Sequence, residues 1–144
     1  MKHIIVLGAG MVGSAIAADM AEKHKVTISD LDQNRLDKVK KKHSRLDILP
    51  LDVTDKKSLQ HHIKPFDLVI CAVPGFLGVQ TLKAIIEAGK NVIDISFFSE
   101  NALELDTLAK EKNITAIVDC GVAPGMDNII LGHYNEKLKL SHFE

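Results

Sequence analysis

The sequence predicts an α/β fold, a doubly wound parallel sheet of about six strands with helices on both faces. Three observations lead to this prediction. Short apolar runs typical of buried strands alternate with segments of helical periodicity. The connections between them are only a few residues long, and the first run ends directly in a glycine-rich turn. Such alternation is typical of parallel strands covered by helices on both faces of one sheet.

The first half of the chain begins with an apolar run at residues 4–7, as expected of a strand buried on both faces. A helix from Met11 to Lys23 follows, and the spacing of Val12, Ile16 and Met20 predicts its buried side. The other predicted strands of this half are 26–29, 46–51 and 68–73, and the other predicted helices are 33–43, with Leu36 and Val39 inward, and 58–64.

The second half continues the alternation. A helix over residues 79–88 is predicted to end at Gly89, because glycine readily adopts the positive φ of a C-terminal cap. The remaining predicted elements are strands at 91–96 and 114–118 and helices at 102–112 and 126–138. No repeat, low-complexity segment or internal linker interrupts the pattern, so a single domain is predicted over residues 1–144.

Composition excludes several classes of function. Lys and Arg number 18 and Asp and Glu 19, and the net charge of −1 lacks the basic excess of a nucleic-acid-binding protein. No apolar stretch approaches the ~20 residues that a membrane span requires. Cys71 and Cys120 lie far apart in apolar runs, so both are expected to be buried thiols of a reduced protein. We therefore expect a cytoplasmic protein with no nucleic-acid or membrane partner.

A glycine fingerprint predicts the binding of a dinucleotide. Gly8, Gly10 and Gly13 have the spacing G-x-G-x-x-G and lie where the first strand passes into the first helix. Gly8 allows the tight turn, Gly10 lets a pyrophosphate approach the backbone, and Gly13 lets the helix pack close to the sheet. The free amide groups of the helix N-terminus face the anion. The fold is therefore predicted to be a Rossmann-type doubly wound parallel sheet.

Acidic residues after the second and third strands extend this prediction. Asp30 ends the second strand, where a carboxylate accepts hydrogen bonds from the adenine ribose and repels a 2′-phosphate, so NAD is favoured over NADP. Arg35 could reach a 2′-phosphate, but Asp30 would oppose it. Asp32 and Asp55 are better explained as N-caps of helices. Asp52 is equally consistent with a contact at the adenine edge and with an ordinary turn.

A second turn, beginning at Val73, follows the fourth predicted strand. Ligands of a doubly wound sheet lie where the strand order reverses, and this turn has that position. Pro74 and Gly75 would let the backbone pass beside the ribose and nicotinamide of the cofactor. Phe76 and Leu77 are equally consistent with an apolar wall of the site and with the first turn of a helix.

Four segments together carry a family resemblance. The segments GAGMVG, CAVPGFLG, VIDISFFSENALEL and DCGVAPGMDNIILG, in this order and spacing, resemble the saccharopine dehydrogenase-like family, and above all its L-lysine dehydrogenases that oxidise the ε-amine. The resemblance covers essentially the whole chain. It implies an N-terminal Rossmann domain that uses NAD or NADP to oxidise the C–N bond of an amino acid or amine, with a second domain completing the substrate pocket.

The resemblance also implies roles for individual residues at the cofactor. The pyrophosphate would be held by Gly8, Gly10, Met11, Val12 and Gly13. The ribose would be held by Asp30, the nicotinamide side by Val73 and Pro74, and the reactive face would be lined by Ile95, Ser96 and Phe97. Outside this set, Asp94 and Asp119 are explained more simply as strand-end caps than as substrate ligands, and Cys120 as a structural residue.

The enzymes of this family are considerably longer than this chain, and we expect their second domain to be absent from it. We expect residues 121–144 to begin the crossing to that domain, and the chain to bind NAD but to turn over lysine poorly or not at all. An apolar patch should then be exposed, through which the chain could form a homodimer. His61 and His62 are expected at the surface, and no metal site or catalytic acid or base is predicted.

Two other functions are consistent with the fingerprint. One is a non-catalytic nucleotide-sensing regulatory domain of the kind that gates potassium transport, since those domains share the length, the glycines and the acid after the second strand. The PGFLG turn and the GVAPG segment favour a dehydrogenase over such a sensor. The other is a Rossmann-like domain that binds no nucleotide and uses its glycines only for the turn.

Overall fold

The computed structural model describes residues 1–138 and 142. In this part of the chain six parallel strands form one sheet in the order β3-β2-β1-β4-β5-β6. The strands are β1 His3–Leu7, β2 Lys25–Asp30, β3 Asp47–Pro50, β4 Leu68–Cys71, β5 Val92–Asp94 and β6 Ala116–Ile117. The helices are α1 Met11–Met20, α2 Gln33–Lys42, α3 Lys56–His62, α4 Gly75–Glu87, α5 Asp106–Glu111 and α6 Met126–Asn135, and a 3₁₀ turn covers Ala102–Leu105. The strand order reverses between β1 and β4, which confirms the predicted Rossmann-type sheet.

The sheet separates two apolar cores. Val6 of β1 and Ile28 of β2 are buried in the core beneath α1 and α2. The neighbouring Leu7 is buried in the opposite core, with Leu59 of α3 and Ile85 of α4. Because successive side chains of a strand alternate between faces, the continuous apolar run of β1 is needed to fill both cores.

Strand pairing places the carboxyl ends of β1, β2 and β4 next to one another. Leu7 pairs with Ser29 on one side and with Cys71 on the other. The backbone bonds continue one residue further, because the Gly8 amide donates to the Ser29 carbonyl at 2.8 Å and the Ala72 amide donates to the Leu7 carbonyl at 2.8 Å. The glycine turn, Asp30 and the turn at Val73 therefore leave the sheet side by side.

Helix α1 is buried through its small residues and not through its large ones. Gly13 and Ala17 are the residues of this helix that are buried. Val12, predicted to face inward, is 58% exposed, so that part of the prediction is wrong, and Ile16 and Met20 are partly buried at the margin of the core. The helix lies so close to the sheet at Gly13 that only small side chains fit beneath it.

Helix α4 begins four residues before the predicted start, since Pro74 is its N-cap. Phe76 and Leu77 consequently belong to its first turn, although Phe76 remains exposed. The other end agrees with the prediction, because Gly89 has φ +70° just after the helix. The Gly89 amide donates to the Ile86 carbonyl at 2.8 Å, as in a glycine-capped C-terminus.

The last two strands of the sheet are shorter than predicted. Strands β5 and β6 have three and two residues, because the chain turns away from the sheet soon after Asp94 and Ile117. Helices α5 and α6 bury no residue, and α6 ends at Asn135 instead of residue 138. The final part of the predicted crossing segment 121–144, His142 excepted, lies outside the described residues. Within the described residues, no helix combines the length and the apolarity needed to cross a membrane.

Candidate functional site

Two glycines close the turn between β1 and α1. Gly8 has φ +105°, and a Cβ there would lie 2.5 Å from the Ala72 carbonyl oxygen. A Cβ on Gly13 would collide with the Gly8 carbonyl. Neither position has room for a side chain, so these glycines fix α1 against the ends of β1 and β4, as expected for the first and third glycines of the fingerprint.

Gly10 has the opposite surroundings. Its φ of −71° is open to any residue, and a Cβ there would meet no atom within 4 Å. Gly10 is the N-cap of α1 and makes no side-chain capping bond, and the first turn holds no acidic residue. The first amides of the helix thus have neither an intrahelical nor a side-chain acceptor. The open corner at Gly10 has the shape and the dipole of an anion site, and it fits a pyrophosphate.

Met11 and Val12 flank this corner on the first turn of α1. Met11 is 93% exposed, and Val12 is more than half exposed. Large apolar side chains with so little protein contact beside an anion site are suited to cover a bound ligand. Val12 is thus exposed at the start of α1, whereas the helical periodicity had suggested a core residue.

Asp30 joins the ends of β1 and β2. Its Oδ2 accepts the Ala9 amide at 2.8 Å, and its Oδ1 accepts the Asp32 amide at 2.9 Å. The carboxylate is 13% exposed, and the Arg35 guanidinium Nη1 lies 3.9 Å from Oδ2. Asp30 holds the glycine turn in place, and each carboxylate oxygen keeps a lone pair for a further donor. Arg35 also lies 3.5 Å from the Asp32 carboxylate.

The other aspartates after the strands make local turns. Asp32 accepts the Asn34 amide at 2.9 Å and Asp55 accepts the Ser58 amide at 3.0 Å, so both are the predicted N-caps. Asp52 accepts the hydroxyl of Thr54 at 2.6 Å and its amide at 2.8 Å, and these bonds lower the pKa of Asp52. Its observed contacts are those of a turn, while contact with an adenine stays a prediction.

Two glycines, Gly75 and Gly78, allow α4 to pack closely against the turn after β5. The sequence analysis did not predict this packing role. A Cβ on Gly75 would collide with the Phe97 carbonyl, and one on Gly78 would lie 2.6 Å from Ser96 Oγ. Their i, i+3 spacing within PGFLG places them on one face of the helix. That spacing is the sequence signal from which the packing role could have been predicted. Val73 is buried and Pro74 is exposed at this junction.

The turn after β5 is held by a buried carboxylate. Asp94 is fully buried, and its Oδ1 accepts the Ser96 amide at 2.6 Å together with the Ser96 hydroxyl. Burial is the main cause that raises the pKa of Asp94. The Ser96 hydroxyl, expected at the cofactor, is thus directed to Asp94, whereas Phe97 is 75% exposed at the open edge.

The two cysteines differ. Cys71 is buried as expected, and burial followed by the neighbouring Asp94 raises the pKa of its thiol well above the usual value. Cys120 is exposed, so its predicted burial is wrong. Strand β6 ends at Ile117 and leaves Cys120 in a loop. Partial burial and the Asp119 charge raise the pKa of the Cys120 thiol.

The predicted surface histidines lie on α3, where His61 is exposed. His62 is half-buried, with its Nδ1 2.8 Å from the Ser58 carbonyl oxygen. Within the described residues, no group of three or more His, Cys, Asp or Glu side chains is arranged to hold a metal ion.

Known proteins share both the sequence pattern and the fold described above. Residues 4–117 match the family model described as saccharopine dehydrogenase NADP binding domain. The chain belongs to this family. It is therefore an oxidoreductase-type domain for a nicotinamide dinucleotide, and the resemblance noted in the sequence is confirmed.

Two curated relatives illustrate the similarity. The saccharopine dehydrogenase [NADP(+), L-glutamate-forming] of Pyricularia oryzae is 29% identical over 89% of this chain and 29% of its own length. The mitochondrial alpha-aminoadipic semialdehyde synthase of Mus musculus is 29% identical over 90% of this chain and 14% of its own length. The chain thus spans less than a third of the curated relatives that it matches.

A solved structure shows the same fold. The apo saccharopine dehydrogenase (L-Glu forming) from Saccharomyces cerevisiae superposes with a TM-score of 0.86 at 23% identity, over 96% of this chain and 32% of that one. The sheet, the glycine turn and the helices described above therefore form a fold that also occurs within a longer enzyme.

Proposed function

We propose that this chain is the NAD-binding domain of an oxidoreductase that acts on the C–N bond of an amino acid or amine of the lysine type. The observation that carries the proposal is the open corner at Gly10. There the uncapped N-terminus of α1, two exposed apolar side chains and the Asp30 carboxylate meet at the carboxyl ends of β1 and β2. In an open α/β sheet this is the position where ligands bind.

Each part of the corner has one task in binding. The first amides of α1 hold the pyrophosphate, and Asp30 accepts the ribose hydroxyls. The exposed Pro74, which follows β4, and Phe97, which follows β5, lie beside the nicotinamide end. A bound nicotinamide supplies a hydride acceptor, while the protein contributes orientation and the exclusion of water.

Preference for NAD rests on Asp30. Its carboxylate is fixed by two backbone amides, so it cannot turn away from a 2′-phosphate without giving up those bonds. The family's description and the name of the Pyricularia relative both contain NADP, and this favours the opposite preference, for NADP over NAD. Arg35, exposed beside Asp30, is the side chain that could meet a 2′-phosphate.

Isothermal titration calorimetry with NAD and with NADP separates the two preferences. The wild-type chain should bind NAD more tightly. Asp30→Asn keeps an oxygen for the Ala9 amide but removes the charge, and should weaken NAD about tenfold, the typical loss for a charge-assisted hydrogen bond. Asp37→Asn, an exposed aspartate on α2, is the matched control and should leave both affinities unchanged.

Arg35→Ala tests the opposite preference, with Lys41→Ala, an exposed lysine on the same helix, as its control. If NADP binds more tightly than NAD and loses affinity in Arg35→Ala alone, the cofactor preference proposed here is wrong while dinucleotide binding stands. Binding of neither cofactor would contradict the proposed function as a whole.

We further propose that residues 121–144 lead into a second, substrate-binding domain, as the resemblance implies. The apolar side chains of α6 support this, since Ile129 is 74% exposed and Ile130 and Tyr134 are also exposed. The chain alone should then bind cofactor but form no NADH with lysine. The alternative is that a second copy of the chain covers this face. Sedimentation velocity tests it, because such a homodimer would dissociate in Ile129→Lys but not in Lys57→Glu, which changes an exposed residue of α3.

A further inference from the structure

The two edge strands of the sheet, β3 and β6, differ in how they oppose pairing with a further strand. Strand β3 begins at Asp47, whose carboxylate lies 3.9 Å from the Lys25 ammonium group, and ends at Pro50. Charged residues discourage another chain from adding to an edge, and proline has no amide to donate to it. The β3 edge is therefore protected by its own residues.

The β6 edge lacks this protection. Its two residues lie within the β6 run, residues 113–118 with the sequence NITAIV. The β6 run contains no charged residue, proline or glycine, and four of its six residues are β-branched. Ile117 in its middle is 49% exposed. An uncharged, β-branched segment at the edge of a sheet is a template to which another strand readily adds.

The backbone of Ala116 faces outwards from this edge. Ala116 pairs with Val92 of β5, and the Val92 amide donates to the carbonyl of the preceding Thr115 at 3.0 Å. Because successive residues of a strand direct their backbone groups to opposite sides, the amide and carbonyl of Ala116 point away from β5. They make no hydrogen bond to any described residue. A groove of about 450 Å³ between the end of β6 and the start of α6 lies beside this edge.

Two charged residues flank the β6 run and select the direction of an added strand. Lys112 precedes the run and Asp119 follows it, both are exposed, and neither forms an ion pair with a described residue. A second copy of the run, added antiparallel, brings Lys112 of each chain towards Asp119 of the other. A parallel copy would place like charges side by side, which is unfavourable. The β6 run is therefore complementary to itself across a two-fold axis, the commonest symmetry of homo-oligomers.

We propose that the β6 edge binds a second copy of this chain by antiparallel pairing of the two β6 runs, with Ala116 of one chain opposite Ala116 of the other. The two alanines exchange amide-to-carbonyl hydrogen bonds. On either side, Thr115 lies opposite Ile117. Ile114 lies opposite Val118, so both flanking pairs join β-branched residues, which pack well across strands. The contact is small, so the dimer is weak and depends on concentration. No residue of the β6 run belongs to the dinucleotide corner, so the pairing is independent of the proposed function.

Hydrogen exchange of the wild type, followed by ¹H–¹⁵N NMR, locates the pairing without any substitution. The Ala116 amide should exchange as an open edge does in dilute protein, and more slowly as the dimer forms at higher concentration. The Thr115 amide is the internal control, because it already donates to Asn91 Oδ1 at 2.8 Å within the chain. A dimer in which the Ala116 amide exchanges as fast as in the monomer would place the contact elsewhere and contradict the proposal.

Charge reversal tests the antiparallel direction. Lys112→Glu should weaken the dimer about threefold to tenfold, because it replaces an exposed attraction to Asp119 of the other chain with a repulsion. Lys83→Glu makes the same change of charge at an exposed position of α4 and should leave the dimer unchanged. Equal effects of the two variants would contradict the antiparallel pairing.

The decisive test is sedimentation velocity of the chain from micromolar to millimolar concentration. The wild type should pass from monomer to dimer as the concentration rises. Ala116→Pro removes the amide that faces the free edge and none that bonds to β5, so it should fold but remain monomeric. Ala116→Ser keeps the amide and should dimerise as the wild type does. A wild type that stays monomeric, or a dimer that persists in folded Ala116→Pro, would overturn the proposal.

Discussion

The two halves of the sheet differ in how much of their own surface they bury. In the first half, β1 and β2 have five and six residues, and α1 and α2 pack over them on a closed core. In the second half, β5 and β6 have three and two residues, and α6 buries none of its side chains. The first half builds both its core and its anion corner from local residues. The second half leaves a row of apolar side chains in contact with solvent.

This difference separates two tasks. Dinucleotide binding needs a turn that cannot move, and Gly8 and Gly13 provide it through contacts that exclude any side chain. The other half of the sheet instead leaves Phe97, Val122 and Ile129 exposed, as expected if the proposed substrate domain packs there. Substitutions in the core at β1 and β2 should accordingly lower the free energy of unfolding. Substitutions in α6 should change the binding of a partner domain or chain more than they change folding.

A matched pair of isoleucines tests that division with the largest expected effect. Ile28→Ala removes a fully buried side chain from β2 and should lower the free energy of unfolding by about 2–5 kcal/mol. Ile129→Ala, in the exposed face of α6, should change it by less than about 0.5 kcal/mol. Urea denaturation followed by circular dichroism measures both. Equal losses would show that α6 belongs to the same core.

A pair of glycines gives the next largest effect. Gly13→Ala forces a Cβ against the Gly8 carbonyl and should destabilise the protein by about 1–3 kcal/mol, as overpacking does. Gly132→Ala, inside α6, meets no atom within 4 Å and should be neutral or stabilise by up to about 1 kcal/mol through helix propensity. Thermal unfolding of the two variants measures this, and a stable Gly13→Ala would contradict the tight turn.

The two cysteines compare the buried middle of the sheet, at Cys71 of β4, with the exposed loop after β6, at Cys120. Iodoacetamide should label the exposed Cys120 and leave the buried Cys71 until the chain unfolds. Because the Asp119 charge raises the pKa of the Cys120 thiol, Asp119→Asn should lower that pKa and speed labelling a few-fold at neutral pH. Mass spectrometry at timed intervals gives both rates. Faster labelling of Cys71 than of Cys120 would contradict the described burial.

Asp94 gives the smallest effect, a change in the pH dependence of stability. Since burial raises the pKa of Asp94 in the folded chain, the folded state binds this proton more tightly than the unfolded state does. Stability from Asp94 is therefore greatest at low pH and falls as pH rises from about 4, the ordinary carboxyl pKa, through the raised value.

Asp94→Asn cannot titrate and should lack this decline. Urea denaturation at pH steps between 4 and 7 should show the difference in unfolding free energy between the variant and the wild type moving in favour of the variant as pH rises. A difference that does not vary with pH would rule out the raised pKa.

Local signals in the sequence predicted most of the fold. The apolar runs of β1 and β4, the caps at Asp32 and Asp55 and the positive φ at Gly89 were all recognisable, because each depends on residues close in the chain. Together with the glycine spacing, they were sufficient to predict the sheet, whereas the family was recognised by the resemblance of four longer segments, among them CAVPGFLG and DCGVAPGMDNIILG.

Features that depend on distant contacts were missed. Val12 was expected in the core because periodicity does not register how closely Gly13 brings α1 to the sheet. After the early end of β5, the Phe97 carbonyl packs against Gly75 of α4, and the exposure of Cys120 follows from the short β6. Asp119, which has a positive φ, lies next to another contact between distant residues, the bond from the Cys120 amide to the Asp94 carbonyl.

The central claim is that the open corner at Gly10 binds a nicotinamide dinucleotide. Calorimetric titration of the wild type and of Gly10→Val tests it most directly, because a Cβ at this position meets no protein atom within 4 Å and lies at the uncapped N-terminus of α1. Both proteins should unfold at the same temperature, and Gly10→Val should bind NAD at least about tenfold more weakly. Equal affinities, or no binding of NAD or NADP by the wild type, would contradict the claim.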